Sequence, residues 1–252
     1  MAVTGTFDAE ARRAALSDRL AREGALELAS ASQEWGVHPM TIRRDFEALV
    51  RAGIARRVRG GLVALSGDDF AQRRHQHAAA KRQIAEKLLG LLPADATVAL
   101  DSSTTVHAFA EILTDQRATV VTNGLSAFHA LDGRQGVRAY LTGGEREEQN
   151  HSLVGALAAQ AISQFSLDLC LLSAMSVDPA FGTSELTLEQ VAVKEAMAEA
   201  ARTCVLAVDA SKLQTRSRFR SLALSRYDVL VTDIDPDDDR LDPYRGLVPE
   251  IR

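Results

Sequence analysis

The chain has 252 residues, a formal net charge of −5 and 46% hydrophobic residues, enough to fill the core of one large domain or of a small domain joined to a medium one. No apolar run approaches the roughly 18–20 residues of a membrane span, and Met1 to Glu10 carries neither a basic segment nor an apolar one, so neither a membrane protein nor a secretory leader is expected. Cys170 and Cys204 both sit in apolar, strand-like runs and read as reduced core residues of a cytoplasmic protein; no Cys/His spacing fits a zinc site.

The charge is unevenly spread. Residues 1–65 hold ten Arg against eight Asp/Glu, whereas the remainder holds nineteen Lys/Arg against twenty-six Asp/Glu. Six arginines fall between residues 40 and 60. A local basic patch on an acidic protein points to a confined nucleic-acid face rather than a wholly basic binder.

In chain order, Ala11 to Arg22 is expected to be helical, with Ala15, Leu16 and Leu20 on one side and Gly24 ending it. Leu26 to Trp35 reads as a second helix stopped by Gly36. Pro39 suits the first turn of a third helix, where its missing N–H costs nothing. There Ile42, Phe46, Leu49 and Val50 recur at helical spacing as a buried face, and Gly53 closes the helix. A hairpin follows, with Arg56, Arg57 and Arg59 leading into Gly60-Gly61. A helix with its apolar stripe inward leaves Arg43, Arg44 and Glu47 outside. Arginine is the side chain best suited to forked contacts with guanine or phosphate. The glycine pair permits a tight turn and close approach to a phosphate. Taken singly, each arginine could be an ordinary solvated side chain; the joint pattern is that of a winged helix-turn-helix lying on double-stranded DNA.

Beyond this module, residues 65–74 read as a linker containing Ser66-Gly67-Asp68-Asp69, and His77 to Leu92 as a long amphipathic helix ended by Pro93. Strands are expected at Thr97–Leu100, Thr119–Val121, Arg138–Leu141, Leu167–Leu172, Cys204–Val208 and Asp228–Val231. Helices are expected at Thr105–Leu113, Leu125–Leu131, Leu153–Gln164 and Leu188–Ala200. This alternation predicts an α/β fold with a mostly parallel sheet. Asp237-Asp238-Asp239 reads as a solvated turn.

The loops after the strands carry the polar chemistry. Asp101-Ser102-Ser103-Thr104-Thr105 lies at a strand-to-helix junction, where free N–H groups and hydroxyls can hold an anion, although such a cluster also serves as a plain helix cap. Asn123, Gly143-Gly144 and Lys212 fall at other strand ends, where open parallel sheets bind ligands. Lys194 lies on the Leu188–Ala200 helix, either as a solvated side chain or as a further ligand group. Together these loops suit a small phosphorylated polyol. His107 follows the first loop. His75 and His77 could pair on a metal, but no third ligand is evident. No G-x-G-x-x-G follows a strand, so a dinucleotide enzyme lacks support.

Thr41-Ile42-Arg43-Arg44-Asp45 together with Arg57-x-x-Gly60-Gly61 resembles the DeoR family of bacterial transcription regulators. The resemblance implies a winged helix-turn-helix at residues 9–64 (the two-helix unit at 26–45) and a sensor domain at 75–231, similar in fold to ribose-phosphate isomerase, followed by a tail at 232–252. It implies a non-enzymatic regulator without a cofactor or metal, working as a homodimer or homotetramer in the cytoplasm, most simply a repressor relieved by a phosphorylated sugar. Thr41, Arg43, Arg44, Arg56, Arg57 and Arg59 are then expected on DNA. Asp101, Ser102, Ser103, Thr104, Thr105, Asn123, Gly143, Gly144, Lys194 and Lys212 are expected at the effector. The chain departs from the family pattern at His38, a poorer helix cap than the usual Ser, at Ala31 and Phe46, at Ser103 in place of Gly, and at Ser173-Ala174-Met175-Ser176. The alternative is an isomerase-like enzyme with a DNA-binding appendage, drawing its acid–base groups from Asp168, Lys194 and Lys212.

Overall fold

The computed structural model describes residues 4–51, 55–64, 70–114 and 116–252, and the chain divides into two compact units, Met1–Gln76 and His77–Arg252. The expected helix stop at Gly53 and the Ser66-Gly67-Asp68-Asp69 stretch lie outside the described residues.

The first unit runs α1 (Thr4–Glu23), β1 (Ala25–Glu27), α2 (Leu28–Trp35), α3 (Pro39–Arg51), β2 (Ala55–Val58), β3 (Gly61–Ala64) and α4 (Phe70–His75). Gly24, at φ +74°, turns the chain out of α1 while its N–H bonds Leu20 O at 2.9 Å. Gly36 does the same for α2 in a left-handed conformation. The expected helix from Leu26 begins at Leu28 instead. Ala25–Glu27 is a strand paired antiparallel with β3, Leu26 opposite Leu62, so the sheet order is β1-β3-β2. Pro39 does open α3, and His38 caps it: its Nδ1 accepts from Met40 N at 3.2 Å, the bond a serine hydroxyl would make. Leu16, Leu20, Leu26, Ala31, Ile42, Phe46, Leu49, Ala55 and Leu62 form one core. Val50, expected in it, is 37% exposed. The position inside α3 that sequence periodicity missed is Asp45, which is buried against Arg12 of α1.

The second unit is a three-layer α/β domain. Its strands β4 (Thr97–Leu100), β5 (Ala118–Thr122), β6 (Val137–Leu141), β9 (Leu167–Leu172), β12 (Ala201–Ala207), β14 (Val229–Val231) and β15 (Glu250–Ile251) make a parallel sheet of order β15-β14-β12-β9-β4-β5-β6. Small antiparallel sheets are added by β7 (Glu145–Glu147) with β8 (Ser152–Val154), and by β10 (Ser176–Asp178), β11 (Gly182–Glu185) and β13 (Phe219–Arg220). Alternate residues of each strand serve opposite faces. Val98, Leu100, Leu169, Leu171 and Val205 pack with α5 (Ala78–Leu89), α6 (Thr104–Ile112) and α7 (Leu125–Ala130). Ala99, Cys170, Leu172, Cys204 and Leu206 pack with α8 (Ala156–Ile162) and α9 (Leu188–Ala200). Cys170 and Cys204 are direct register partners, both free, with Sγ atoms 3.2 Å apart.

In the first unit the expected linker 65–74 contains most of α4, whose Phe70 is buried, and three segments of the second unit also differ from expectation. The long helix at His77–Leu92 is shorter, since His77 takes φ +53° and the helix begins at Ala78. Leu153–Gln164 splits into β8 and α8 at Gly155, whose φ of +89° breaks the helix. Residues 232–252 are not a tail. Leu241 and Tyr244 are fully buried, the Tyr244 hydroxyl bonds Val177 O at 3.0 Å, and β15 extends the sheet alongside β14.

The connections β4–α6–β5–α7–β6 build outward on one side of β4, and β9–α9–β12 build outward on the other. The winding therefore reverses between β4 and β9. At such a point the loops at the carboxyl ends of two neighbouring strands diverge and leave a crevice, the usual ligand position in this architecture.

Candidate functional site

In the first unit, α3 presents Arg43 and Arg44 to solvent, with Thr41 half-buried beside them and Ile42 and Phe46 turned inward. Arg56 and Arg57 are exposed neighbours on β2, so the period of two sends them to opposite faces of the hairpin. Arg57 stands opposite buried Leu62 and reaches Glu47 of α3 at 3.6 Å. Arg59 is exposed in the turn, where Gly60 takes φ +88°. The two glycines have different tasks. Gly60 makes the turn; Gly61 is needed because a Cβ there would lie 2.0 Å from Leu26 O. The close approach expected toward a phosphate is an approach to the chain's own β1. The presented surface is thus the amino-terminal part of α3 flanked by an arginine-bearing wing, the arrangement a helix-turn-helix uses to enter a major groove while the wing meets the backbone.

In the second unit, the β4–α6 junction sits at the reversal point. Asp101, expected to face the ligand, is 1% exposed and saturated by its own protein. Its Oδ1 accepts from Ser103 N at 2.9 Å, and its Oδ2 accepts from Ser173 N at 2.8 Å and from Lys194 Nζ at 3.0 Å. Lys194 also donates to Glu185 Oε1 and to Ser173 O, both at 2.7 Å. Burial pulls the Lys194 pKa down, but the charges of Asp101 and Glu185 outweigh it and leave the ammonium above its ordinary value. Lys194 is therefore neither a solvated side chain nor an uncommitted cation. It is a charged brace that ties the ends of β4 and β9 to β11.

Ser103 takes φ −73°, so the family's glycine is not required for conformation; its hydroxyl oxygen caps α6 by accepting from Val106 N at 3.1 Å. Of the first amides of α6, Ser103 N and Val106 N are thus satisfied. Among the described residues, Thr104 N and Thr105 N have no acceptor. Gly124 lets the next loop close on this one, since a Cβ there would meet Ser102 Cα at 3.0 Å. Asn123 is fully buried; its Nδ2 donates to Leu153 O at 3.0 Å, and its Oδ1 has no donor among the described residues. Gly143 and Gly144 both have positive φ, and Gly144 is pressed against β8, where a Cβ would lie 2.5 Å from Val154 O. The structure thus gathers residues 101–105, Asn123 and Gly143-Gly144 around β4 and β5. Lys212 is half-buried in the turn after β12, beyond β9. His107 is buried inside α6, with Nε2 3.4 Å from Glu111.

Glu185, Glu147, Ser152 and Gln190 complete the polar interior, and sequence reasoning did not single them out. Glu147 accepts from Gln190 Nε2, from Ser152 Oγ at 2.9 Å, from Asn150 Nδ2 at 2.8 Å and from Thr187 Oγ1 at 3.2 Å. The available signal was weak: Glu185, Glu147 and Ser152 are lone polar residues on short strands, which look like surface positions, and Gln190 is one polar residue in the first turn of α9. Among the described residues, no three His, Cys, Asp or Glu side chains are placed to hold a metal ion, and no helix is long and apolar enough to cross a membrane.

A helix-turn-helix unit joined to a doubly wound α/β unit with polar loops at its reversal point defines a ligand-sensing DNA-binding regulator. Residues 12–67 match the DeoR-like helix-turn-helix domain and residues 76–234 match the DeoR C terminal sensor domain. The chain belongs to the DeoR family of transcriptional regulators. It is 33% identical over 230 residues to the transcriptional repressor AccR of Agrobacterium fabrum, covering 88% of each chain. It is 29% identical over 216 residues to the L-fucose operon activator of Haemophilus influenzae, covering 84% of this chain and 87% of the relative. It is 29% identical over 208 residues to the glycerol-3-phosphate regulon repressor of Escherichia coli, covering 81% and 82%. Among solved structures it is similar to ribose 5 phosphate isomerase A from Neisseria gonorrhoeae, with a TM-score of 0.37 at 18% identity over 56% of this chain and 53% of that one.

Proposed function

We propose that this regulator represses carbohydrate-metabolism genes in the cytoplasm, holding double-stranded operator DNA as a homodimer or homotetramer until a phosphorylated sugar releases it. Thr41, Arg43 and Arg44 meet the major groove; Arg56, Arg57 and Arg59 meet the flanking backbone. The observation that carries the sensor half is the pair of uncommitted amides, Thr104 N and Thr105 N, at the start of a nine-residue helix. Two free N–H groups at the positive end of a helix dipole are suited to phosphate oxygens, and the Ser103, Thr104 and Thr105 hydroxyls add donors. Asp101 and Lys194 act by holding this loop in shape. Asn123 Oδ1 accepts a sugar hydroxyl, Gly143-Gly144 shape the wall, and Lys212 supplies a charge at the far rim.

Repression is the sign favoured by relatives named as repressors of glycerol-3-phosphate and aga operons, against one named as an activator. The three groups from which the isomerase alternative would draw, Asp168, Lys194 and Lys212, are not brought together in a single site. Asp168 lies at the amino end of β9, accepting from Thr97 N at 3.0 Å, while Lys194 is bound to two carboxylates toward the other end. The test is fluorescence anisotropy on DNA from upstream of the protein's own gene, at fixed salt, with a panel of phosphorylated sugars. Coupled sites shift affinity about 5- to 150-fold; DNA held equally tightly with every compound contradicts release by a sugar phosphate.

A further inference from the structure

The hydrogen bonds of Gln190 run from the anion loop to a hairpin that no part of the proposed function uses. The side chain is 3% exposed. Its Nε2 donates to the Glu147 carboxylate on β7 and to Ser152 Oγ on β8, the latter at 2.9 Å. A carboxylate only accepts, so this contact sets the amide's orientation: nitrogen toward the hairpin, oxygen toward the loop. The oxygen faces Ser102 Oγ at 3.3 Å and can only accept, so the Ser102 hydroxyl must donate to it. One proton on Ser102 thus completes a continuous path from the loop after β4, through α9, to both strands of the β7–β8 hairpin.

The hairpin has a second and independent attachment. Leu153 N donates to Asn123 O at 2.8 Å, and the Asn123 side chain donates to Leu153 O. These bonds hold β8 to the end of β5. On the other side, β7 is tied to α9 through Glu147, by way of Gln190 and Thr187. Among the described residues the four donors to Glu147 are all neutral side chains, so removing Gln190 leaves a carboxylate with less compensation in a half-buried place.

We propose that Gln190 is a positioning residue that reports occupancy of the anion site to the β7–β8 hairpin, a deepening that rests on the phosphate reading of the Thr104 and Thr105 amides. An anion on those amides takes over the hydrogen bond that the Ser102 hydroxyl donates, because a charged oxygen is a stronger acceptor than an amide oxygen. Gln190 Oε1 is then buried without a donor. Turning the amide end for end restores a bond toward Ser102 and the anion, but brings the amide oxygen against Glu147. The Gln190–Glu147 bond is lost, and the hairpin loosens from α9 while staying attached to β5. Occupancy of a small anion site thereby becomes a change in a surface hairpin without any movement of the sheet.

The experiment is amide hydrogen exchange of the full-length protein with and without inorganic phosphate as the probe, with phosphorus NMR line broadening on the same samples to report binding. In the wild type, phosphate should broaden and raise exchange in residues 145–154 about fivefold or more, the lower end of what coupled sites show. In Gln190→Leu the hairpin should exchange faster from the outset and no longer respond, while phosphate still broadens. Ser102→Ala is the milder companion should the leucine variant fail to fold: it should weaken phosphate binding without abolishing it, and lose the hairpin response even at saturating phosphate. A wild-type hairpin that does not change when phosphate is bound, or a variant hairpin that responds as the wild type does, overturns the relay. Absence of broadening in the wild type instead overturns the anion site itself, and the relay with it.

Discussion

Arg12 on α1 and Asp45 on α3 form a buried ion pair, Nε to Oδ2 at 2.6 Å, with side chains only 8% and 7% exposed. The residue beside the two exposed arginines of α3, Arg43 and Arg44, thus faces the interior of the unit. It fixes the angle at which α3 leaves the body of the unit, because both charges are desolvated and each requires the other.

Removing one partner strands a buried charge, which costs about 3–5 kcal/mol. Asp45→Ala and Arg12→Ala should therefore both unfold the first unit at lower denaturant concentration, and DNA binding should be lost through folding. An Arg12→Met, Asp45→Leu double variant should be clearly more stable than either single alanine variant. Urea unfolding curves check this; a double variant as damaged as the singles contradicts the pairing argument.

Lys194 predicts an alkaline signature. Its folded pKa lies above the lysine value of 10.5. A group with a raised folded pKa contributes stability that is complete below the unfolded pKa and lost as pH rises through the folded one. The brace should accordingly be intact across neutral pH and weaken only above about 10.5, the lysine value. Thermal melts of wild type and Lys194→Met should show a stability difference that is constant through neutrality and shrinks in strong alkali. Subtracting the two curves matters, because Tyr227 and Cys170 are also raised, Tyr227 chiefly by burial and Cys170 chiefly by its hydrogen bond to Cys204.

Gly61→Ala should be more damaging than a wing substitution usually is. Its Cβ would overlap Leu26 O at 2.0 Å, so β1 and β3 must separate. Overpacking of this kind costs about 1–3 kcal/mol. Destabilisation should be measurable by unfolding without any DNA present; a variant that is fully stable yet fails to bind DNA would return Gly61 to the phosphate role.

The arginines should separate by salt dependence. Arg44→Ala should cost about 1–3 kcal/mol and relax preference at one base pair if it reads a base, whereas Arg56→Ala and Arg59→Ala should weaken all sequences alike and reduce the salt slope by about one each. Arg57 is held by Glu47, so Glu47→Gln should raise non-specific affinity by freeing it. Titrations at several salt concentrations check each slope.

What sequence alone made legible follows from the range of the interactions. Ile42, Phe46 and Leu49 repeat within one helix, so α3 and its buried face could be read from local spacing. The central strands could be read because each is a run of apolar residues buried on both faces. Ala25–Glu27 could not, since three residues become a strand only by pairing with residues 61–63. The same holds for Lys194, whose partners Asp101 and Glu185 come from separate elements. It holds again for residues 232–252, an acidic stretch anchored by the isolated burial of Leu241 and Tyr244. His38 was undervalued as a cap because its ring nitrogen, rather than a hydroxyl, makes the bond.

If a phosphorylated effector is held by the amides that open α6, the backbone N–H resonances of Thr104 and Thr105 will respond directly when the phosphorylated sugar that shifts DNA affinity is titrated in. These two amides should move furthest and saturate with the same midpoint as the DNA response. Saturable binding that leaves both unmoved, with the largest changes elsewhere, would contradict that placement.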